Sequence, residues 1–295
     1  MTAAAQPVQT AAVCARIDRN GLIGAECRSL TGGTPDDDGI AACETIDLVA
    51  RAAFVQKGLD VIAGAASLDA LVAAVADAEF PAEAFRIDVH DPSGRIGRST
   101  QDIATALADV IPFGPKLREP QHRFVVVASA DRVLFGEVVA ETDATYRRHD
   151  SKPWTTSSSL DGRFARALVN LVPTARSVLD PCCGAGSIVL EAAALGLEAH
   201  GVDWKPAMVG MTRENLAHFG YAATVVRADS RLHHQVADAI VTDLPYGHAI
   251  EADEPTIRAI LERGAELAPE AVYVAPADIT LWLRAAGYAE VEVCT

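Results

Sequence analysis

Two short turns constrain this chain more than any other feature: Asp180-Pro-Cys-Cys-Gly-Ala-Gly-Ser187 and Asp243-Leu-Pro-Tyr-Gly247. Each follows a run of apolar and β-branched residues, Ser177-Val-Leu-Asp180 and Ala239-Ile-Val-Thr-Asp243, that reads as a buried parallel strand. Both turns therefore fall at carboxyl ends of strands, where open α/β sheets bind ligands. The first turn leads into a helix predicted over Ser187 to Ala194, whose amides and positive dipole end can receive a polar ligand. Gly184 and Gly186 would let that ligand approach the backbone closely.

The glycine spacing argues against a dinucleotide site. The third glycine of G-x-G-x-x-G would fall on Val189, which removes the close helix packing such sites use. Asp203 ends the next predicted strand, Glu198-Ala-His-Gly-Val-Asp203, where a carboxylate can accept both hydroxyls of a ribose. A third strand, Thr224-Val-Val-Arg-Ala-Asp229, ends in an aspartate able to accept a hydrogen bond from an adenine amino group. Taken in order, these pieces resemble the S-adenosylmethionine site of class I methyltransferases. Asp243 to Tyr246 resembles the motif of their amino-methylating branch.

That chemistry explains the second turn. The amino nitrogen of an aromatic base is a poor nucleophile because its lone pair is delocalised into the ring. Asp243 and the carbonyl of Leu244 can accept its two hydrogens and favour a pyramidal nitrogen, while Pro245 fixes that carbonyl and Tyr246 offers a stacking face. Positioning would supply most of the rate, since holding two reactants in line removes roughly 7 to 11 kcal/mol of barrier. No metal is called for.

Composition allows packed cores, with 50% hydrophobic residues in 295. There is no run of 18 apolar residues, so no membrane span is expected, and the first fifteen residues carry no charge and lack the basic region of a signal peptide. Six cysteines without a C-x-x-C pair read as reduced residues of a cytoplasmic protein. A net charge of −15 is unusual for a nucleic-acid partner, but 81–170 holds 12 of the 25 Lys and Arg against 12 of the 40 Asp and Glu. That stretch is neutral, and the remainder carries the acidity.

The N-terminal part reads as two small α+β modules. The first, 1–64, has a strand at Ala11 to Ile17, a helix at Leu22 to Leu30, an exposed loop at Thr31 to Gly39 and strands at Ile40 to Ile46 and Ala52 to Val55. It carries no chemical constellation. The second, 65–145, reads as helix (Leu68 to Ala76), strand (Ala84 to Val89), helix (Thr100 to Val110) and hairpin (Phe124 to Ala128, Val133 to Val139). Its loops supply Arg95, Arg98, Lys116, Arg118 and Arg123. This order of elements, with Ser99-Thr-Gln-Asp-Ile103 after a basic loop, resembles a THUMP domain, an RNA-binding module.

A connector, 146–158, contributes Arg147, Arg148 and Lys152, and leads into an amphipathic helix within Ser159 to Leu171, with Arg163 and Arg166 on its polar stripe. Connector, helix, Asp-Pro-x-Cys-Gly-x-Gly turn and Asp-x-Pro-Tyr-Gly together resemble the THUMP-containing tRNA guanine N2-methyltransferases of the archaeal guanosine-10 type. The resemblance covers 146–295 strongly and 40–145 more loosely.

The resemblance implies a Rossmann-like methyltransferase domain at 159–295, behind ferredoxin-like and THUMP-like modules. It further implies S-adenosylmethionine as donor and the exocyclic N2 amine of a tRNA guanosine as acceptor. Asp180, Cys182, Gly184, Ala185 and Gly186 match the methionine-side loop, Asp203 and Trp204 the ribose end, and Asp229 and Ser230 the adenine end. Asp243, Leu244, Pro245 and Tyr246 match the catalytic motif, with Asp243 also beside the donor. The basic loops and connector would hold tRNA. Guanosine 6, DNA adenine or protein glutamine as acceptor, or a non-catalytic RNA-binding subunit, are the readings left open. Two departures stand out: Thr156-Ser-Ser-Ser159 replaces a His-Pro-Gly-Ser piece, and six strands rather than seven are recognisable, the last near Val291 to Thr295. A missing strand would expose a sheet edge and favour a homodimer or an accessory subunit.

Overall fold

The computed structural model describes residues 9–15, 21–80, 83–129, 131–245 and 253–294. The chain divides into two compact units, Met1–Asp143 and Ala144–Thr295. In chain order the first holds β1 (Thr10–Cys14), α1 (Gly21–Thr31), β2 (Ile40–Cys43), a 3-10 turn (Val49–Arg51), β3 (Val55–Ala65) and α2 (Leu68–Ala76). It continues with β4 (Phe85–His90), α3 (Thr100–Ala108), β5 (His122–Ala128) and β6 (Val133–Glu141).

These strands form one sheet in the order β2-β1-β3-β6-β5-β4, antiparallel except for β4 beside β5. The boundary expected at 64/65 falls inside β3, which pairs with β1 on one side and β6 on the other. β3 also differs from the short strand expected over Ala52 to Val55. Its sequence, VQKGLDVIAGA, has two glycines and irregular register against both neighbours, so the period-2 pattern that marks a strand is weak there. Gly58 is required where β3 meets Ile46, since a Cβ would lie 2.8 Å from that side chain.

Ser67 and Ser99 cap α2 and α3 by accepting the amides of Ala70 and Asp102. Both helices bury apolar residues, Leu71, Ile103 and Leu107, against Phe85, Phe124 and Phe135. The three phenyl rings stand at 5.2–5.8 Å along the chain of contacts Phe85, Phe124, Phe135. The loop expected to be exposed over Thr31 to Gly39 is partly folded in: Asp36 accepts the amides of Asp38 and Ile40, and Asp38 is buried.

The second unit begins with a 3-10 segment (Thr145–Ser151) and continues with α4 (Gly162–Asn170), β7 (Ser177–Asp180), α5 (Ser187–Ala194), β8 (Glu198–Asp203) and α6 (Pro206–Phe219). Then come β9 (Thr224–Arg227), β10 (Ala239–Asp243), α7 (Glu254–Leu267), β11 (Glu270–Val274) and α8 (Thr280–Ala286). The sheet order is β11-β10-β7-β8-β9, and every pairing is parallel. The chain winds outward from β7 through β8 to β9, then returns to β10 on the other side of β7. The carboxyl ends of β7 and β10 thus flank the topological switch point, where ligand crevices form.

Among the described residues this sheet has five strands, not the six expected. Residues 291–294 adopt no regular structure. α4 begins at the Asp161 cap, which accepts the Phe164 amide at 2.8 Å. Arg166, expected on its polar stripe, is instead fully buried and donates to Glu191 at 2.8 Å. A carboxylate on the neighbouring α5 makes that position tolerable for a guanidinium.

Candidate active site

Asp180 closes β7 and is buried. Its Oδ1 accepts the Thr242 hydroxyl at 2.6 Å and the Cys182 amide at 3.1 Å. Burial nonetheless pushes its carboxyl up to about 7. One strand over, half-buried Asp203 accepts the amides of Gly184 (3.1 Å) and Lys205 (2.8 Å), so the end of β8 and the glycine turn are tied together. Burial raises this carboxyl as well. Two backbone bonds occupy part of its accepting capacity and leave further lone pairs for hydroxyl donors.

Gly184 and Gly186 both hold positive φ, +52° and +85°. Their roles differ. A Cβ on Gly184 would meet nothing within 4 Å, whereas one on Gly186 would lie 2.5 Å from Thr212 Cγ2. Gly186 is therefore also required by the packing of α5 against α6, a constraint in addition to the ligand approach expected from sequence.

Asp229 is occupied. Arg231 approaches it with Nε at 2.9 Å and Nη2 at 2.6 Å and donates its own amide at 3.0 Å, which holds the carboxyl below its ordinary range. Ser230 donates to the Pro181 carbonyl, binding this loop back to the first turn. Burial pushes the Cys182 thiol up to about 12 and Cys183 upward too, so neither is a ready thiolate. Trp204 is 62% exposed, with Lys205 Nζ 5.4 Å from its ring centroid.

On the other side of the switch point, Asp243 ends β10 and Leu244 donates its amide to the Val274 carbonyl at 3.1 Å. The Leu244 side chain is buried among Ile257, Ile260 and Leu261. Every residue expected to bind the donor, together with Asp243, Leu244 and Pro245, lines one cavity of about 1020 Å³. Tyr246 lies outside the described residues. Among the described residues, no group of three His, Cys, Asp or Glu is placed to hold a metal ion, and no helix is long and apolar enough to cross a membrane.

The residues expected to contact RNA divide. Arg98, Lys116, Arg118, Arg147 and Arg148 are exposed, Arg98 pairing with Asp69 at 3.0 Å. Arg95, though partly exposed, is bound to buried Asp38, and Arg123 to Glu141. Lys152 is buried and donates to the Leu160 carbonyl at 3.3 Å, so it cannot serve as a surface phosphate contact. Burial lowers its ammonium pKa.

Several functional neighbours were not singled out from sequence. Thr242, Thr212 and Asn215 hold the turns through hydrogen bonds, and Thr156 to Ser159, notable in the sequence only as a departure, form a wall of the cavity with Leu160. Buried His149 sits 2.5 Å from Glu191, completing a cluster with Arg166. The available signal was a polar residue at i and i+3 of one helix, Thr212 and Asn215, which is too common to single out a contact.

Residues 149–262 match the family model described as UPF0020, RMKL-like, methyltransferase domain. The chain is 31% identical over 212 residues to the tRNA (guanine(10)-N2)-dimethyltransferase of Methanothermobacter thermautotrophicus, covering 67% of this chain and 62% of that protein. It is 36% identical over 107 residues to the protein of the same description in Pyrococcus abyssi, covering 34% and 32%. The chain thus spans less than two thirds of either relative's length. The crystal structure of TrmN from Thermus thermophilus shares the fold, with a TM-score of 0.50, 19% identity, and coverage of 94% of this chain and 91% of that one. The match to the UPF0020, RMKL-like family model is confined to residues 149–262.

Proposed function

We propose that the protein transfers a methyl group from S-adenosylmethionine to the exocyclic N2 amine of a tRNA guanosine, at position 10 and in one or two rounds. The observation that carries this reading is the placement of the Asp180 turn and Asp243 on adjoining strands of one cavity, at the switch point of the sheet. The descriptions of the two archaeal relatives support tRNA and guanine N2 as the acceptor.

The donor set fits a nucleoside bearing an amino-acid tail. Asp203 offers carboxylate lone pairs at the end of β8, Gly184 leaves open space beside the backbone, and Trp204 presents an exposed ring. Asp180, Cys182, Ala185 and Gly186 would hold the amino-acid end, and Asp229 with Ser230 the adenine end. When bound, S-adenosylmethionine supplies a methyl group on a positively charged sulfur, ready for displacement by a nucleophile.

The protein's task is to orient the acceptor. Asp243 and the Leu244 carbonyl would accept the two amine hydrogens and hold the nitrogen pyramidal. One amine proton must leave when the nitrogen is methylated, and the Asp243 carboxylate would accept it. The guanine has to leave its stack to reach such a cavity, costing a few kcal/mol. Contacts from Arg98, Lys116, Arg118, Arg147 and Arg148 to phosphates would offset that term. The N-terminal unit serves as the tRNA-binding module in this reading, and the cytoplasm as its place of action.

The test is transfer of labelled methyl groups to an unmodified tRNA transcript, followed by digestion to nucleosides. Label in N2-methylguanosine that Asp243→Ala abolishes supports the reading. Label confined to another nucleoside contradicts it.

A further inference from the structure

Residues 152–160 form a strap, tied at both ends, of which Thr156 to Leu160 line the cavity. At one end the Leu160 carbonyl accepts the Ser187 hydroxyl at 2.8 Å and Lys152 Nζ at 3.3 Å. At the other, both main-chain polar groups of Trp154 are bound by one side chain: Asn215 Oδ1 accepts the Trp154 amide at 2.9 Å, and Nδ2 donates to the Trp154 carbonyl at 2.9 Å. Between the ties, Thr156 to Ser159 close on themselves. The Thr156 amide donates to Ser159 Oγ at 2.9 Å, and its hydroxyl lies 3.1 Å from the hydroxyls of Ser158 and Ser159.

Asn215 does more than hold the strap. Its second Nδ2 hydrogen goes to the Ala185 carbonyl at 2.8 Å, inside the glycine turn. One helical turn earlier, Thr212 donates to the Gly184 carbonyl at 2.8 Å. α6 thereby pins two successive carbonyls of the turn, and trans peptide geometry directs the following amides away from α6. Asn215 is fully buried, and its donors and acceptor are all used. One carboxamide therefore joins two walls of the cavity, the strap and the turn, that come from segments about thirty residues apart.

We propose that Asn215 is a positioning residue that locks strap and turn into a single preformed wall for the methyl donor. The inference rests on the reading above that this cavity takes S-adenosylmethionine. Its consequence is selective. Donor affinity depends on the clamp because both of its walls face the cavity, whereas tRNA affinity and the methyl-transfer step at saturation do not.

The experiment compares Asn215→Ala with wild type for S-adenosylhomocysteine affinity by calorimetry, and for KM of donor and tRNA and kcat by methyl transfer. Trp154→Pro and Trp154→Ala form a second pair, in which only the proline removes the amide that Asn215 accepts while α6 is untouched. The expected result is a donor KM and S-adenosylhomocysteine Kd raised about tenfold or more in Asn215→Ala, with the same direction in Trp154→Pro relative to Trp154→Ala. kcat and tRNA KM stay within about threefold, as they report steps the clamp does not touch. Donor affinity within twofold of wild type, or equal losses in kcat and both KM values, would overturn the proposal.

Hydrogen exchange of the ligand-free protein tests the clamp apart from donor identity. Joint acceleration at 154–160 and 184–186 in Asn215→Ala supports it, and unchanged exchange there overturns it. A wild-type protein that binds no S-adenosylhomocysteine would instead remove the donor reading.

Discussion

The Thr242 hydroxyl donates a 2.6 Å hydrogen bond to Asp180 Oδ1, joining the ends of β10 and β7 across the switch point. The residue before Asp243 is thus bonded to the carboxylate that opens the glycine turn. This buried bond couples the two strand ends that wall the cavity, and it stabilises a carboxylate that would otherwise face apolar surroundings.

Thr242→Val keeps the shape of the side chain and removes the donor. Leaving a buried carboxylate short of one bond costs about 1 to 3 kcal/mol. Urea unfolding should show that loss in midpoint with an unchanged slope, and donor binding should weaken in parallel. A variant as stable as wild type at neutral pH would show that the bond contributes nothing.

Asp180 gives a pH dependence of definite sign. Its carboxyl stands at about 7 in the folded protein against 3.8 when exposed, so the folded state binds the proton more tightly. The associated stability is fully present below about 3.8 and is lost as pH rises through 7. Compared with Asp180→Asn, wild type should therefore lose stability between pH 4 and pH 7.5, by up to the order of 4 kcal/mol. A difference that stays flat over this range, followed by chemical denaturation, contradicts the assignment.

Much of this unit was legible in the sequence because strand, turn and helix signals agree there. β7, β8, β10 and α5 span the residues expected for them, each strand being an apolar run closed by a charged or glycine-rich turn. Acids at strand ends that line one cavity follow directly from that pattern. What escaped was set by tertiary packing. β3 was hidden because its glycines break the alternation, and Arg166 because its partner Glu191 lies on another helix. Lys152 carries the same charge as its exposed neighbours Arg147 and Arg148, yet only packing of the strap buries it.

Glu191 receives both His149 Nδ1 and Arg166 Nε, all three side chains being at most 1% exposed. Replacing it with alanine removes the carboxylate that both buried groups face, at a cost of about 3 to 5 kcal/mol. Chemical denaturation of Glu191→Ala should show a loss of that size. A loss below 1 kcal/mol would mean that water or a rearranged neighbour takes over.

Asp203→Asn should weaken S-adenosylhomocysteine binding by about 10- to 100-fold, since charge-assisted bonds contribute about 1.5 to 3 kcal/mol. Thermal stability without ligand should hold or rise, because burial disfavours the native carboxylate. Calorimetry and a melting curve separate the two effects, and a fall in both would assign Asp203 a structural role.

If tRNA is held through phosphates, its affinity must fall steeply with salt. Arg147→Ala with Arg148→Ala should reduce the slope of log affinity against log salt by about one to two units, with no change in donor binding. An unchanged slope places the phosphate contacts elsewhere.

Position-resolved methyl transfer decides whether guanosine 10 is the acceptor. Wild-type protein and labelled S-adenosylmethionine are incubated with an unmodified tRNA transcript and with one whose guanosine 10 is replaced by adenosine. N2-methylated guanosine is expected in the first transcript and none in the second. Equal label in both transcripts, or label in the first that is not on guanine N2, would contradict that assignment.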